Sequence, residues 1–244
     1  MKRLLQGMLH RFGYEISRYN FAPDLSHEQE EIISSARPYT LTSVERMIAL
    51  SNAITHIVKN NIPGDIVECG VWRGGSMMLT ALTLISHQDT DRTLHLYDTF
   101  EGMSPPTNDD VGFDDRTAQS QLDDDPGMTG VGCKAGIDEV RTNLESTNYP
   151  ARNIRYIKGR VEETIPQHVP ESIAVLRLDT DWYESTRHEL EHLYPRLSPG
   201  GFLIVDDYGH WKGARKAVDE YFEKRNEQPY LHRIDYTGRI MIKT

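Results

Sequence analysis

Hydrophobic and polar positions follow two different periods along most of this chain. Short apolar runs rich in β-branched residues predict strands, and segments with apolar residues at helical spacing predict helices between them. The predicted strands cover residues 65–69, 93–97, 154–158, 173–178 and 201–205, and the predicted helices cover 76–87, 133–147, 161–168, 183–196 and 211–226. This alternation is typical of an α/β fold with a mostly parallel sheet and helices on both faces.

Two more strands are predicted near the end of the chain. Residues 231–235 and 239–242 flank Thr237-Gly238, which favours an antiparallel pair that closes the sheet. We therefore expect seven strands. In such folds ligands bind beyond the carboxyl ends of the strands, so the residues that follow each strand are the candidate site residues.

The N-terminal pattern differs from the rest of the chain. Residues 1–16 place apolar side chains at helical spacing among basic ones, which predicts a short amphipathic helix that serves as a packing arm, a dimer contact or, less favoured, a membrane-surface anchor. Residues 21–40 are polar and contain two prolines, and we interpret them as a linker or flap. Thr42 and Glu45 have capping-box spacing and predict that a helix starts there.

These patterns predict two regions, an N-terminal helical arm and flap over residues 1–40 and one domain over residues 41–244. Within the domain, residues 99–130 form a long polar segment that we interpret as a lid loop.

Composition narrows the class of partner. The 244 residues carry a formal net charge of −10, with no basic block in the body of the chain, and this disfavours a nucleic-acid partner. No apolar run exceeds four residues, so we expect neither a membrane span nor a secretory signal peptide. Two cysteines fit a reducing cytosol, so we expect a cytoplasmic protein, and a homodimer is the default assembly.

The turn after the first strand holds glycines that allow close approach of a ligand to the backbone. It runs from Glu68 through Gly70 to Ser76, where a predicted helix directs its free N–H groups toward the same place. The spacing is not that of a dinucleotide-binding fingerprint. An acid before the first glycine is more typical of methyltransferases, whose ligand carries an ammonium group. A plain tight turn between strand and helix is the alternative.

The next two strand ends also carry candidate ligand contacts. Asp98 follows the second strand, where an acid can accept hydrogen bonds from both ribose hydroxyls of a nucleoside. Residues 158–163 follow the third strand and would lie beside the adenine. They could equally be a helix entry whose acids favour the helix dipole.

Four carboxylates follow the fourth and fifth strands. Asp179 and Asp181 end one strand, and Asp206 and Asp207 end the other. Crowded like charges raise each other's pKa unless a cation neutralises them, and carboxylate oxygens suit Mg²⁺, Ca²⁺ or Mn²⁺. The pattern therefore favours a metal site, although Asp181 could alternatively be only a helix N-cap.

At these residues the sequence resembles the macrocin O-methyltransferase family. The resemblance covers about residues 37–215 and rests on RPYT at 37–40, IPGDIVECGVWRGGS at 62–76, YDTFEGM at 97–103, LDTDWYEST at 178–186 and VDDY at 205–208. It implies a Rossmann-like class I methyltransferase fold. It also implies a Mg²⁺-dependent O-methyltransferase that uses S-adenosylmethionine and acts on a hydroxyl of a small acceptor, probably the sugar of a glycosylated natural product.

The resemblance also implies roles for individual residues. Asp179, Asp206 and Asp207 would hold the metal, and Asp181 would be the general base. The predicted cofactor-binding residues are Glu68, Gly70, Ser76 and Asp98, with Tyr39 and Thr40 closing over the cofactor, and with their neighbours Cys69, Val71, Thr99, Gly159, Arg160 and Asp179.

A metal-dependent glycosyltransferase is the alternative function. Asp179-Thr180-Asp181 is a DxD motif that could hold Mg²⁺ and a nucleotide-sugar diphosphate. Glu68 argues against this alternative, because a carboxylate in the glycine turn would repel the diphosphate.

Overall fold

Seven strands form one mixed sheet in the computed structural model, which describes residues 24–124 and 130–244. The strands are β1 (Asp65–Cys69), β2 (Leu94–Asp98), β3 (Ile154–Lys158), β4 (Ile173–Leu178), β5 (Leu197–Val205), β6 (His232–Arg233) and β7 (Arg239–Ile242). Their order is β3-β2-β1-β4-β5-β7-β6. The first five are parallel, and β7 pairs antiparallel with both β5 and β6. The predicted α/β fold is confirmed.

Eight α-helices occur in the described residues. They are α1 (His27–Ala36), α2 (Val44–Lys59), α3 (Gly75–Ser86), α4 (Ala118–Asp124), α5 (Ile137–Glu145), α6 (Val161–Thr164), α7 (Tyr183–Leu193) and α8 (Lys212–Lys224). Across residues 24–124 and 130–244, no helix combines the length and the apolar character needed to cross a membrane.

The strands divide the core into two layers. Successive strand residues point to opposite faces of a sheet, so Ile66 joins the cluster under α2 and α3, while Val67 joins the cluster under α7 and α8. All six residues of β4 are buried. Helices therefore cover both faces of the central strands and leave only the strand ends open to a ligand.

The segment predicted as a linker or flap contains a helix. Residues 21–40 include α1, which begins at a capping box between Ser26 and Gln29, followed by a 3₁₀ turn at Arg37–Tyr39. The prolines misled the interpretation, because Pro38 lies at the start of the 3₁₀ turn, where its missing N–H costs nothing. Ile33 is fully buried in the main core. The predicted helix over residues 1–16 lies outside the described residues.

The start of α2 differs from the predicted capping box by one residue. Ser43 is the N-cap, and its hydroxyl accepts a hydrogen bond from the Arg46 N–H at 3.2 Å. The Thr42 hydroxyl instead lies 3.0 Å from that of Thr40, and this contact shapes the chain just before the helix.

The predicted lid is more ordered than a plain loop. Its described residues include α4 and two isolated bridges, one from Val111 to Thr117 and one from Gly112 to Trp211. The Trp182 indole donates to the Ser104 carbonyl at 2.9 Å. The segment is thus fixed to the strand ends at several points.

Asp110 is the buried polar anchor of this segment. Its carboxylate accepts hydrogen bonds from the Thr107 N–H at 2.6 Å, the Thr107 hydroxyl at 2.9 Å and the Tyr183 N–H at 2.7 Å. Tyr183 is the first residue of α7, so Asp110 satisfies a helix N–H that has no partner inside the helix. The negative charge of Asp110 also interacts favourably with the positive end of the α7 helix dipole.

We expect Asp110→Ala to lower the free energy of unfolding by about 2 kcal/mol, because the N–H groups of Thr107 and Tyr183 lose a buried charged acceptor. Urea denaturation followed by circular dichroism measures this change. The neighbouring Asp109 is exposed and pairs with Lys216 at the surface, so Asp109→Ala is the matched control and should change stability by less than about 0.5 kcal/mol. Equal effects of the two substitutions would contradict the anchoring role.

Candidate active site

The carboxyl ends of the central strands open into a cavity of about 390 Å³. Nine of the predicted site residues line it: Tyr39, Thr40, Gly70, Val71, Ser76, Asp98, Asp179, Asp181 and Asp207. A smaller cavity of about 60 Å³ adjoins it. Thr99, Gly159 and Arg160 line the smaller cavity, and Gly70, Asp98 and Asp179 line both. Parallel strands bring these residues to one edge of the sheet, although they lie far apart along the chain.

The turn between β1 and α3 approaches the end of β4 closely. Gly70 has a φ of +82°, and a Cβ at this position would overlap the Asp179 carbonyl. Only glycine fits both the conformation and the space. Its N–H donates to the Tyr97 carbonyl at 2.9 Å, so the turn is held against β2 as well.

Asp98 shapes this turn through its own hydrogen bonds. Its Oδ2 accepts from the N–H groups of Val71 at 2.6 Å and Trp72 at 3.1 Å, and its Oδ1 accepts from the Phe100 N–H at 2.6 Å. Each carboxylate oxygen has two lone pairs, so the protein fills Oδ2 and leaves acceptor capacity only on Oδ1. Asp98 lines both cavities, and its hydrogen bonds to the ribose hydroxyls stay a prediction.

Glu68 lies beneath the cavity and does not line it. It pairs in register with Arg177 across β1 and β4, and its Oε1 accepts a hydrogen bond from the guanidinium. Burial raises the pKa of Glu68 to about 8, against the opposing effect of Arg177. Glu68 lines neither cavity, and its contact with the cofactor stays a prediction. Its effect reaches the cavity through Arg177, which does line it.

Cys69 is also buried away from both cavities. Its thiol hydrogen-bonds to Glu189, and burial raises the pKa of this thiol well above its usual value. Glu189 is itself fully buried, and its Oε1 accepts from the Thr180 hydroxyl at 3.0 Å. The Cys69 side chain therefore does not reach the space where a cofactor would bind. The sequence analysis did not predict that Glu189 lies next to it.

Two arginine side chains lie among the carboxyl groups of this cluster. Arg177 contacts Asp179 at 2.8 Å and Asp206 at 2.7 Å through Nη2. Arg46, from α2, contacts Asp206 through Nη1 and Asp235 at 3.0 Å through Nε. The predicted crowding of carboxylates was correct, but the protein supplies part of the neutralising charge itself.

Carboxyl groups outnumber guanidinium groups in this cluster. Six carboxyl groups, those of Glu68, Asp179, Asp181, Asp206, Asp207 and Asp235, meet the guanidinium groups of Arg46 and Arg177. Burial, with Asp206 as a further cause, raises the pKa of Asp179 to about 6 although Arg177 opposes the shift. A cationic ligand would relieve this repulsion.

Asp181 occupies a strained position at the centre of the site. Its φ is +67°, which is unusual for a residue other than glycine. The Asp207 carboxyl and the Trp211 indole hydrogen-bond to its side chain, and burial followed by repulsion from Asp179 raises its pKa to about 7. Its N–H lies 3.3 Å from Asp207 Oδ2. Asp181 precedes Trp182, the N-cap residue of α7, so the alternative prediction that Asp181 is only a helix N-cap is wrong.

The donor chemistry at these strand ends fits a divalent cation. Asp206 Oδ1 is buried and has no hydrogen-bond partner. The carboxyl groups of Asp181 and Asp207 are hydrogen-bonded to each other, and burial with the surrounding carboxylates raises the pKa of Asp207. As the side chains stand, no group of three or more acidic, His or Cys side chains in the described ranges is arranged as a metal site. Oxygens of Asp179 and Asp206 turn toward Arg177 instead.

The smaller cavity has a polar wall after β3. Ser185 donates to Glu162 Oε1 at 2.8 Å, and Arg160 lies 3.4 Å from Glu162 Oε2. Arg160 is the N-cap residue of α6. The helix entry predicted for residues 158–163 is present, and the segment also lines the smaller cavity, so its place beside the adenine stays a prediction.

Sequence reasoning missed Arg46, Arg177 and Trp211. Arg177 carried a signal, because an arginine within the otherwise apolar strand β4 needs a charged partner. Arg46 carried none, because it lies in an ordinary helix 160 residues from its partner Asp206.

The comparisons with known proteins agree with one another. A family model described as Macrocin-O-methyltransferase (TylF) matches residues 12–243. Demethyldecarbamoylnovobiocin O-methyltransferase of Streptomyces niveus is 33% identical over 226 residues, which cover 91% of this chain and 84% of that protein. A tetracenomycin-C 4'-O-methyltransferase of Streptomyces olivaceus, whose full name specifies a dimethoxy-rhamnosyl substrate, is 34% identical over 98% of this chain and 88% of its own.

A solved structure shows the same likeness in three dimensions. The structure of the O-methyltransferase NovP superposes with a TM-score of 0.74 at 32% identity, and the match covers 99% of this chain and 97% of that one. These relatives do not favour the glycosyltransferase alternative. The chain belongs to the macrocin O-methyltransferase family and is an S-adenosylmethionine-dependent O-methyltransferase.

Proposed function

We propose that this enzyme methylates a sugar hydroxyl of a glycosylated natural product in a Mg²⁺-dependent reaction. The observation that carries the proposal is the acidic cluster, in which six carboxyl groups outnumber two guanidinium groups and three of the six, those of Asp179, Asp181 and Asp207, line the cavity. The substrates in the names of the relatives, demethyldecarbamoylnovobiocin and a rhamnosyl tetracenomycin, support a natural-product acceptor, and the second supports a glycosylated one.

Asp179, Asp206 and Asp207 are the residues that would hold the cation. Asp206 offers its free Oδ1, while its Oδ2 stays with Arg46 and Arg177. A bound divalent cation makes a coordinated hydroxyl more acidic and can orient two neighbouring hydroxyls of a sugar. The two arginines hold Asp206 in place, and Arg177 also fixes Asp179.

Asp181 is the proposed general base. An alcohol is scarcely ionised at neutral pH, so its proton must pass to a protein group as the oxygen attacks the methyl carbon. A carboxylate oxygen of Asp181 takes this proton, and the methyl group leaves S-adenosylhomocysteine behind. The hydrogen bond from Trp211 fixes the direction of the Asp181 carboxylate, and the left-handed backbone keeps the group facing the cavity.

The residues of the glycine turn and its neighbours would hold the cofactor. Gly70 lets the backbone approach it, and Asp98 fixes the N–H groups of Val71 and Trp72. Tyr39 and Thr40 line the cavity from the 3₁₀ turn and its C-cap, where they are placed to cover a bound cofactor. Thr99, Gly159 and Arg160 line the adjoining space, which suits the adenine.

We expect Asp181→Asn to lower kcat at least 100-fold while the dissociation constant for S-adenosylhomocysteine changes less than threefold. The amide cannot accept the proton, but asparagine tolerates the same backbone conformation. Steady-state assays and isothermal titration calorimetry measure the two quantities. Asp138→Asn, at an exposed position of α5, is the matched control. Turnover near the wild-type value in Asp181→Asn would remove the base assignment.

We expect EDTA to abolish methyl transfer and Mg²⁺ to restore it. Mg²⁺ at 100 times its Kd should also stabilise the folded protein by about 2.7 kcal/mol. This stabilisation is measured as a rise in Tm in the absence of the acceptor, so it does not depend on activity. Asp207→Asn should lose this rise, because it removes a ligand. Asp219→Asn should keep it, because Asp219 only accepts a surface hydrogen bond from Tyr208. Full activity in EDTA would exclude the cation from the reaction.

A further inference from the structure

Three aromatic rings form an exposed surface beside the active-site cavity. The ring centroids of Phe113 and His210 lie 5.2 Å apart, those of His210 and Tyr236 6.0 Å apart, and those of Phe113 and Tyr236 6.4 Å apart. Phe113 is 60% exposed and Tyr236 is 56% exposed. We call Phe113, His210 and Tyr236 the aromatic rim.

The aromatic rim is held in place by the backbone beneath it. The Phe113 N–H donates to the His210 carbonyl at 2.8 Å, and the Lys212 N–H donates to the Val111 carbonyl at 2.8 Å. The Tyr236 hydroxyl lies 3.3 Å from His210 Nδ1. The exposure of these rings is therefore a fixed feature of the fold, and fixed exposed apolar surface is typical of a binding site.

The aromatic rim continues into the cavity that holds the acidic cluster. His210 and Tyr236 line this cavity together with Asp181 and Asp207, and Leu41, which is also largely exposed, lines it as well. Trp211 follows His210 directly and hydrogen-bonds to Asp181. A ligand whose hydroxyls reach Asp181 would therefore place its next group against the rings.

We propose that the aromatic rim and Leu41 bind the aglycone of the acceptor, an apolar ring system attached to the methylated sugar. This inference rests on the proposed function and extends it to the substrate class. Polar hydroxyls fit the acidic interior, and a flat apolar ring fits the aromatic exterior, where stacking and edge contacts both favour binding. A free monosaccharide would leave the aromatic rim uncovered.

Matched pairs of glycosides test the proposal. Methyl and 4-nitrophenyl glycosides of rhamnose, fucose, glucose and galactose are titrated into the protein saturated with S-adenosylhomocysteine and Mg²⁺, and each is assayed for methylation. For the sugar that binds, we expect the 4-nitrophenyl glycoside to bind at least tenfold more tightly than the methyl glycoside. Phe113→Ala and Tyr236→Ala should remove most of this difference.

Tyr230→Ala is the matched control, because Tyr230 is also an exposed aromatic residue but lines a different cavity near the C-terminus. It should leave the tenfold difference intact, and all three variants should bind S-adenosylhomocysteine like the wild type.

Each other outcome overturns the proposal. Equal binding of both glycosides, with methylation of the sugar, would reject the aglycone surface and leave the proposed function standing. No binding or methylation of any glycoside would reject the sugar acceptor and the aglycone surface together. A shift from dimer to monomer in Phe113→Ala, seen by analytical ultracentrifugation, would assign the aromatic rim to a second copy of the chain instead.

Discussion

Six carboxyl groups share the positive charge of two buried guanidinium groups at the carboxyl ends of the central strands, and this imbalance governs the site. Arg177 contacts Glu68, Asp179 and Asp206, while Arg46 connects Asp206 to a loop beyond β6. The pairs hold five separate parts of the chain together. They also leave carboxyl groups without a cationic partner, which favours the cationic sulfonium and ammonium groups of S-adenosylmethionine and is the basis of the proposed metal ion.

The central sheet was predictable because its signal is local. A fully buried strand such as β4, which is apolar except for Arg177, needs helices on both faces, whatever the rest of the chain does. Short polar helices carry a weaker signal. Helices α1 and α4 were taken for a linker and a lid loop, because their stability comes mainly from tertiary contacts, such as the burial of Ile33 and Ala118.

The sequence predicts where the site lies but not which side chains contact one another in it. Parallel strands bring their carboxyl ends to one edge, so the residues after β1, β2, β4 and β5 had to lie near one another. The partner of each side chain depends on packing that the sequence does not display. The sequence does not show that Glu68 pairs with Arg177, or that Asp98 accepts hydrogen bonds from three backbone N–H groups.

One short segment connects the proposed chemistry with the proposed recognition of the acceptor. Asp207, His210 and Trp211 lie within five residues, and the bridge from Trp211 to Gly112 fixes this segment to the one that carries Phe113. The Trp211 N–H donates to the Asp207 carbonyl at 2.9 Å, so the turn itself is closed. A ring held on Phe113 and His210 is therefore at a fixed distance from Asp181, and rigid placement of reactants lowers the entropic cost of reaching the transition state.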